Sequence, residues 1–159
     1  MCIRDRNNTV VSPAAFATIS PEAPGVFTFG PGGNKYAAAV VLNNDGTYDY
    51  LGPAGLFGSA TTTRPARPGD VLELYATGLG ATNPSVPPGT LFSGAAPLVG
   101  SATVMIGGAS AQPIWAGLVE PGLYQLNVTV PNVPTGDQPL LVEVDGATSQ
   151  PDVFVTVGQ

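Results

Sequence analysis

Apolar and polar residues alternate in short stretches through most of this chain, and Gly or Pro separates one stretch from the next. The cleanest is 124–130, where Tyr124, Leu126, Val128 and Val130 alternate with Gln125, Asn127 and Thr129. A period of two sends alternate side chains to opposite faces of a β-strand. Leu72, Leu74 and Ala76 alternate in the same way with Val71, Glu73 and Tyr75, and Leu140, Val142 and Val144 with Leu141, Glu143 and Asp145. Ala102, Val104 and Ile106 form one face of a further strand that stops at Gly107-Gly108. Strands are also expected over 26–29, 36–42, 47–50, 112–118 and 153–157, with weaker β character over 14–20. Asn43-Asn44-Asp45-Gly46 reads as a tight hairpin turn, because Asn, Asp and Gly tolerate the positive φ it requires. Pro31-Gly32-Gly33-Asn34 reads as another turn, and 51–69 and 78–100 as two long connections rich in Gly and Pro.

Composition points the same way. Val, Ile and Thr number 37 residues, against 16 for Glu, Lys, Arg, Gln and Met together, so β-branched side chains outweigh straight-chain helix formers. Beyond Ser12 the longest stretch free of Gly and Pro is twelve residues, too short for most helices and ample for strands. Gly and Pro make up 38 of the 159 residues, but Leu, Ile, Val and Phe make up 41, above the floor for a foldable chain. One all-β domain is expected: an antiparallel, immunoglobulin-like β-sandwich of eight or nine short strands. One buried face per sheet is enough to drive that architecture. A single Trp, Trp115, is expected to pack between the sheets, where a large ring contributes most.

The net charge of −6 excludes some partners. Five scattered cations cannot form the basic footprint that a nucleic acid requires, and anionic membranes are disfavoured for the same reason. The longest apolar run, Ala37 to Leu42, is far below the ~20 residues of a membrane-spanning helix, so no membrane insertion is expected. The leading Met1-Cys2-Ile3-Arg4-Asp5-Arg6 stands apart, holding the sole Cys and two of the five cations. It lacks the apolar stretch of a signal peptide. It resembles the translated sequencing-adapter remnant found at the ends of metagenomic reading frames, which would make 1–6 a scar on a truncated gene. A disordered native start is the alternative, with 7–159 the single sandwich domain in either case.

Several segments carry a family resemblance. Gly69-Asp70-Val71-Leu72-Glu73-Leu74-Tyr75-Ala76-Thr77-Gly78-Leu79-Gly80 resembles the opening of an immunoglobulin-like IPT/TIG module. Val104-Met105-Ile106-Gly107-Gly108, Leu126-Asn127-Val128-Thr129-Val130-Pro131 and Gly136-Asp137-Gln138-Pro139 are similar to its later parts, so that the IPT/TIG-like part covers about 64–159. A wider resemblance, over about 14–159, rests on Ala23-Pro24-Gly25-Val26-Phe27-Thr28, Leu74-Tyr75-Ala76-Thr77-Gly78, Pro121 to Val128 and Ala147-Thr148-Ser149-Gln150-Pro151. These resemble an uncharacterised C-terminal domain family, named for Solibacter, at the ends of large exported acidobacterial proteins. The resemblance implies an extracellular or cell-envelope location and a tail position in a longer polypeptide. It supplies no catalytic residue.

The residues themselves supply little chemistry. With no His, a Ser-His-Asp or Cys-His arrangement cannot form, nor can a His-containing metal site. Phosphate-cradling and nucleophile-elbow motifs are missing, and the acids are spread too thinly for a tuned carboxylate pair. Asn43 to Asp49 has part of the oxygen-ligand spacing of a calcium loop, but a hairpin turn explains the same residues without a metal. Asn127-Val128-Thr129 and Asn7-Asn8-Thr9 match the glycosylation acceptor pattern, with chance the preferred explanation for a bacterial strand residue. Phe57 and Phe92 lie in the two long connections and could, with Trp115, form a sugar-stacking platform. Arg64 and Arg67 form the one cationic cluster beyond the leading hexapeptide, to contact an acidic partner or to stiffen the loop.

The expectation is therefore a non-catalytic structural or attachment domain of a secreted or surface protein, with no enzyme activity, no cofactor and no metal. Its partners would be the rest of the parent polypeptide, and a polysaccharide or surface protein. The alternative is a carbohydrate- or protein-binding module acting through loops 51–69 and 78–100, with Phe57, Arg64, Arg67 and Phe92 as candidate contacts.

Overall fold

A computed structural model of the chain describes residues 2–3, 6–7, 10–11, 13–16, 18–29, 35–87 and 89–159. Four two-residue strands come first: β1 (Cys2–Ile3), β2 (Arg6–Asn7), β3 (Val10–Val11) and β4 (Ala15–Phe16). β1 pairs with β4 and β2 with β3, giving two small antiparallel ladders. There follow β5 (Gly25–Val26), β6 (Ala39–Leu42), β7 (Tyr48–Leu51), β8 (Thr63–Arg64) and β9 (Val71–Thr77). Next are β10 (Ala96–Pro97), β11 (Ala102–Ile106), β12 (Ala109–Ala111) and β13 (Pro113–Glu120). Last come β14 (Leu123–Thr129), β15 (Gly136–Val144), β16 (Ala147–Thr148) and β17 (Phe154–Val157).

Two larger sheets are built from these strands, and the described residues contain no helix. The larger runs β10-β13-β14-β9-β6-β7-β8, with β5 continuing along β9 beyond the end of β6. Its pairs are antiparallel except β7 with β8. The smaller runs β12-β11-β15-β16, and β17 takes over the same edge of β15 that β16 leaves. That hand-over falls at Pro151 and at Asp152, whose φ of 63° turns the backbone out of the ladder. Ser149 keeps the ladder in step across it: its N–H donates to the Val142 carbonyl, while its Oγ accepts from the Val142 N–H.

The alternating segments do what their pattern predicts. Leu72, Leu74 and Ala76 of β9, with Leu126 and Val128 of β14 and Ala39 and Val41 of β6, are buried. They share one core with Val104 and Ile106 of β11, Leu140, Val142 and Val144 of β15, and Val155 and Val157 of β17. The two sheets thus pack as a β-sandwich with an aliphatic interior. They are also stitched together along β17. Its free edge accepts Ala37 N–H at the Phe154 carbonyl (3.0 Å) and Ala66 N–H at the Thr156 carbonyl (2.9 Å). Phe154 N–H donates in turn to Lys35 O, and Gly158 N–H to Ala66 O.

Some boundaries differ from the sequence reading. β8 and β10 are short strands inside the two connections expected to be loops, each held by a neighbour rather than by its own alternation. The strand expected from 36 begins at Ala39, because Tyr36 and Ala37 bridge to Phe154 and Thr28 instead. The turn expected at 31–34 lies outside the described residues, as do Met1, Arg4 and Asp5 of the leading hexapeptide and Asn8-Thr9 of one acceptor pattern.

Trp115 requires a correction, since it does not pack between the sheets. It pairs with Asn127, while its neighbour Ala116 pairs with the buried Leu126 and packs on the core. Adjacent strand residues face opposite ways, so the indole lies on the outside of the larger sheet. The irregular register between Pro113 and Trp115 sets this phase, and a bulge of that kind cannot be seen in the spacing of apolar residues. Among the described residues no aromatic side chain is fully buried in the core.

Candidate binding face

The outer face of the larger sheet can be read across its strands from the register. One row runs Tyr50 (β7), Val40 (β6), Glu73 (β9), Asn127 (β14) and Trp115 (β13). A second runs Tyr75 (β9), Gln125 (β14) and Gly117 (β13), and Phe27 extends it, donating its N–H to the Tyr75 carbonyl at 3.0 Å. A third holds Tyr48, Leu42, Val71 and Thr129. Tyr48 is 58% exposed and Phe27 44%. The face therefore displays rings at both ends, with Tyr75, Glu73, the amides Gln125 and Asn127 and the aliphatic Val40, Leu42 and Val71 between them.

The position of Trp115 depends on Gly117. A Cβ at 117 would come within 2.8 Å of Trp115 Cζ2 and would also press on the Ala96 carbonyl oxygen. The indole is thus laid along its own strand, over a residue with no side chain, and Gly117 is buried beneath it. Beside it, Gln125 Nε2 donates to Asn127 Oδ1 at 2.8 Å. On the next strand Tyr75 OH approaches Glu73 Oε2 at 3.4 Å, and burial together with that carboxylate raises the phenol's pKa. At the sheet edge Trp115 also borders a depression of ≈ 270 Å³ lined by Pro97, Leu98, Gln112 and Ile114 among others.

At the opposite end, Phe29, Tyr50 and Phe57 meet edge to face, with centroids 5.0 to 5.9 Å apart, and Tyr48 meets Tyr50 in the same manner. Such pairs contribute about 0.5–1.5 kcal/mol beyond the area they bury. Phe57 therefore pins the 51–69 connection onto the sheet face. Phe92, half-buried in the other connection, rests beside Gly94.

Arg64 is also engaged within the chain. Its Nε donates to Asp49 Oδ2 (3.1 Å), its Nη1 to Asp70 Oδ2 (2.6 Å) and to Pro65 O, and its Nη2 to Asn43 Oδ1 (3.0 Å). Burial works against its charge but the two carboxylates more than compensate, leaving its pKa raised. Arg67 joins through its backbone, N–H to Asp70 Oδ2, with an exposed side chain. Of the four residues singled out from sequence, the structure joins Arg64 to Arg67 through Asp70. It places Phe57 on the sheet face and leaves Phe92 in a separate loop.

The Asn43–Asp49 oxygens are committed to the hairpin. Asp45 Oδ1 accepts Thr47 N–H and Oγ1–H, which lowers its pKa, and Asn43 Nδ2 donates to Thr47 Oγ1 and Asp49 Oδ2. A third polar knot joins the sheets: Lys35 Nζ lies 2.7 Å from Asp137 Oδ2, and Thr156 Oγ1 donates to Asp137 Oδ1 at 2.9 Å. Among the described residues no group of three or more acidic or Cys side chains is placed to hold a metal ion.

Sequence reasoning missed Phe27, Tyr48, Tyr50, Tyr75, Gln125 and Asn127 as a set. The signal was present, because every one stands at the outward phase of an alternating strand. Comparison with family models, with curated proteins and with solved structures finds no match to the chain.

Proposed function

We propose that the chain is a non-catalytic attachment module of a secreted or cell-surface polypeptide, immunoglobulin-like in the IPT/TIG manner, whose contact surface is the outer face of its larger sheet. One observation carries this reading: the core is aliphatic, while Trp115, Tyr48, Tyr50, Tyr75 and Phe27 face outward on a single sheet. Burying an aromatic ring is among the strongest stabilising moves open to a small domain. A fold that sets its rings on the outside of a sheet leaves part of that stabilisation to a partner, and the exposed Phe27 and Tyr48, with the partly covered Tyr50, Tyr75 and Trp115 on the same face, mark an interaction site. The resemblance to tail domains of exported proteins supports the location. Loop 51–69 is the weaker candidate, since its Arg64 and Phe57 are satisfied internally.

The test is retention of a fluorescent-protein fusion on insoluble cell-wall preparations, polysaccharides and immobilised protein matrices. Retention that drops at least about tenfold in a Tyr75→Ala, Gln125→Ala double variant supports the reading. Retention that the double variant leaves unchanged, or none on any matrix, overturns it in favour of a spacer or cap.

A further inference from the structure

We infer that the outer face binds a neutral, extended, β-linked polysaccharide, with Trp115 and Tyr75 as the two stacking rings and Gln125, Asn127 and Glu73 as the groups that read sugar hydroxyls. The inference rests on the attachment reading above and names its ligand.

The geometry supplies the argument. Gly117 and Tyr75 flank Gln125 in one row across three adjacent strands. Two interstrand steps separate them by roughly 10 Å, and the indole lies over Gly117. Ring-bearing positions spaced by two strands, about 10 Å, suit an extended chain that shows the same sugar face at every second residue. Pyranose C–H groups meet the electron-rich face of each ring, and the intervening sugar sits above Gln125. The Gln125–Asn127 amide pair keeps the two N–H groups of Asn127 Nδ2, the second N–H of Gln125 Nε2 and the Gln125 Oε1 acceptor for hydroxyls, and the Glu73 carboxylate accepts.

Charge selects within the class. Glu73 is the one charged side chain in the three rows, so an anionic glycan or an acidic membrane meets a carboxylate and no compensating cation. A neutral polyol carries no such penalty. Between Trp115 and Tyr75, the two stacking rings, the register places the amides Gln125 and Asn127, which hydrogen-bond hydroxyls rather than pack as the apolar core of a protein interface does.

Trp115 is the only Trp, so its emission reports on the site directly. The full chain is titrated with cellohexaose, mannohexaose, xylohexaose and an acidic oligogalacturonide, and the same ligands are followed by calorimetry. Saturable binding of at least one neutral hexaose is expected, with a shift in Trp115 emission. Affinity should fall at least about tenfold in Tyr75→Ala and in Gln125→Ala, and hold in Phe92→Ala. Circular dichroism of each variant separates loss of binding from loss of fold. Three results overturn the inference: no neutral ligand binds, the acidic oligomer binds as tightly, or Tyr75→Ala and Gln125→Ala bind as the parent does. If the fusion is nonetheless retained on a protein matrix in a face-dependent way, the attachment reading stands and the sugar ligand does not.

Discussion

The side chain of Gln150 pairs with both main-chain groups of Val26, accepting its N–H at Oε1 (2.9 Å) and donating from Nε2 to its carbonyl (2.6 Å). A carboxamide here replaces a strand residue, joining positions 124 apart in sequence. Close by, Ala23 N–H donates to Gly78 O and Tyr124 OH to Gly80 O. Segments 147–151, 23–28, 74–80 and 121–128 are thus bonded one to the next at one end of the sandwich. Gln150→Ala should cost about 1–2 kcal/mol in urea unfolding. Gln150→Glu should cost more, because a carboxylate would then face the Val26 carbonyl without a donor.

Arg64 should behave as a clamp. Arg64→Ala leaves Asp49 and Asp70 facing each other, half-buried, and is expected to cost about 1–3 kcal/mol, discounted from fully buried pairs for solvent access. Arg64→Lys should recover little, since a single ammonium cannot span the four acceptors that the guanidinium fork reaches. Denaturant midpoints of the three proteins decide this.

Gly117→Ala tests the laid-down indole. The added methyl would meet Trp115 Cζ2 and the Ala96 carbonyl, so the ring must swing away or β10 must shift. A loss of about 1–3 kcal/mol is expected, together with a changed Trp115 emission maximum. Unchanged fluorescence and stability would contradict the described packing.

Core and face should separate energetically. Leu126→Ala removes a fully buried side chain between the sheets and should cost about 2–5 kcal/mol. Trp115→Ala should fall below the ~3–5 kcal/mol typical of a buried Trp, because the ring is only partly covered. Paired unfolding curves measure the difference.

Acid should release the knot at Asp137. Hydrogen bonding from Lys35, aided by Thr156 and Tyr36, holds its carboxyl below the ordinary range, and Asp137 in turn raises Lys35. A lowered carboxyl stabilises the fold above its unfolded pKa and loses that effect as pH falls through the folded value. A raised ammonium stabilises below its unfolded pKa and loses the effect as pH rises through its folded value. The gap in thermal midpoint between the parent and Asp137→Asn should hold from about pH 5 to 9 and close below about pH 4.

The all-β, two-sheet architecture was legible because strands such as β9, β14 and β15 alternate cleanly and meet a second sheet of the same kind. The location of Trp115 was not, because one irregular residue step in β13 inverts which side a ring occupies. β8 and β10 were illegible for another reason. Two-residue strands exist only because a neighbour offers an edge, and no local pattern encodes that. Arg64 was visible as a cation but not as a clamp, since Asn43, Asp49 and Asp70 come together only after the hairpin closes.

Phe154–Val157 lies between β15 on one side and residues 35–37 and 66 on the other. The backbone pairing of those earlier residues on that side is therefore completed only once residues 154–158 have been made. Ordering should come late and nearly all at once, and a chain cut before residue 154 should remain open and prone to self-association.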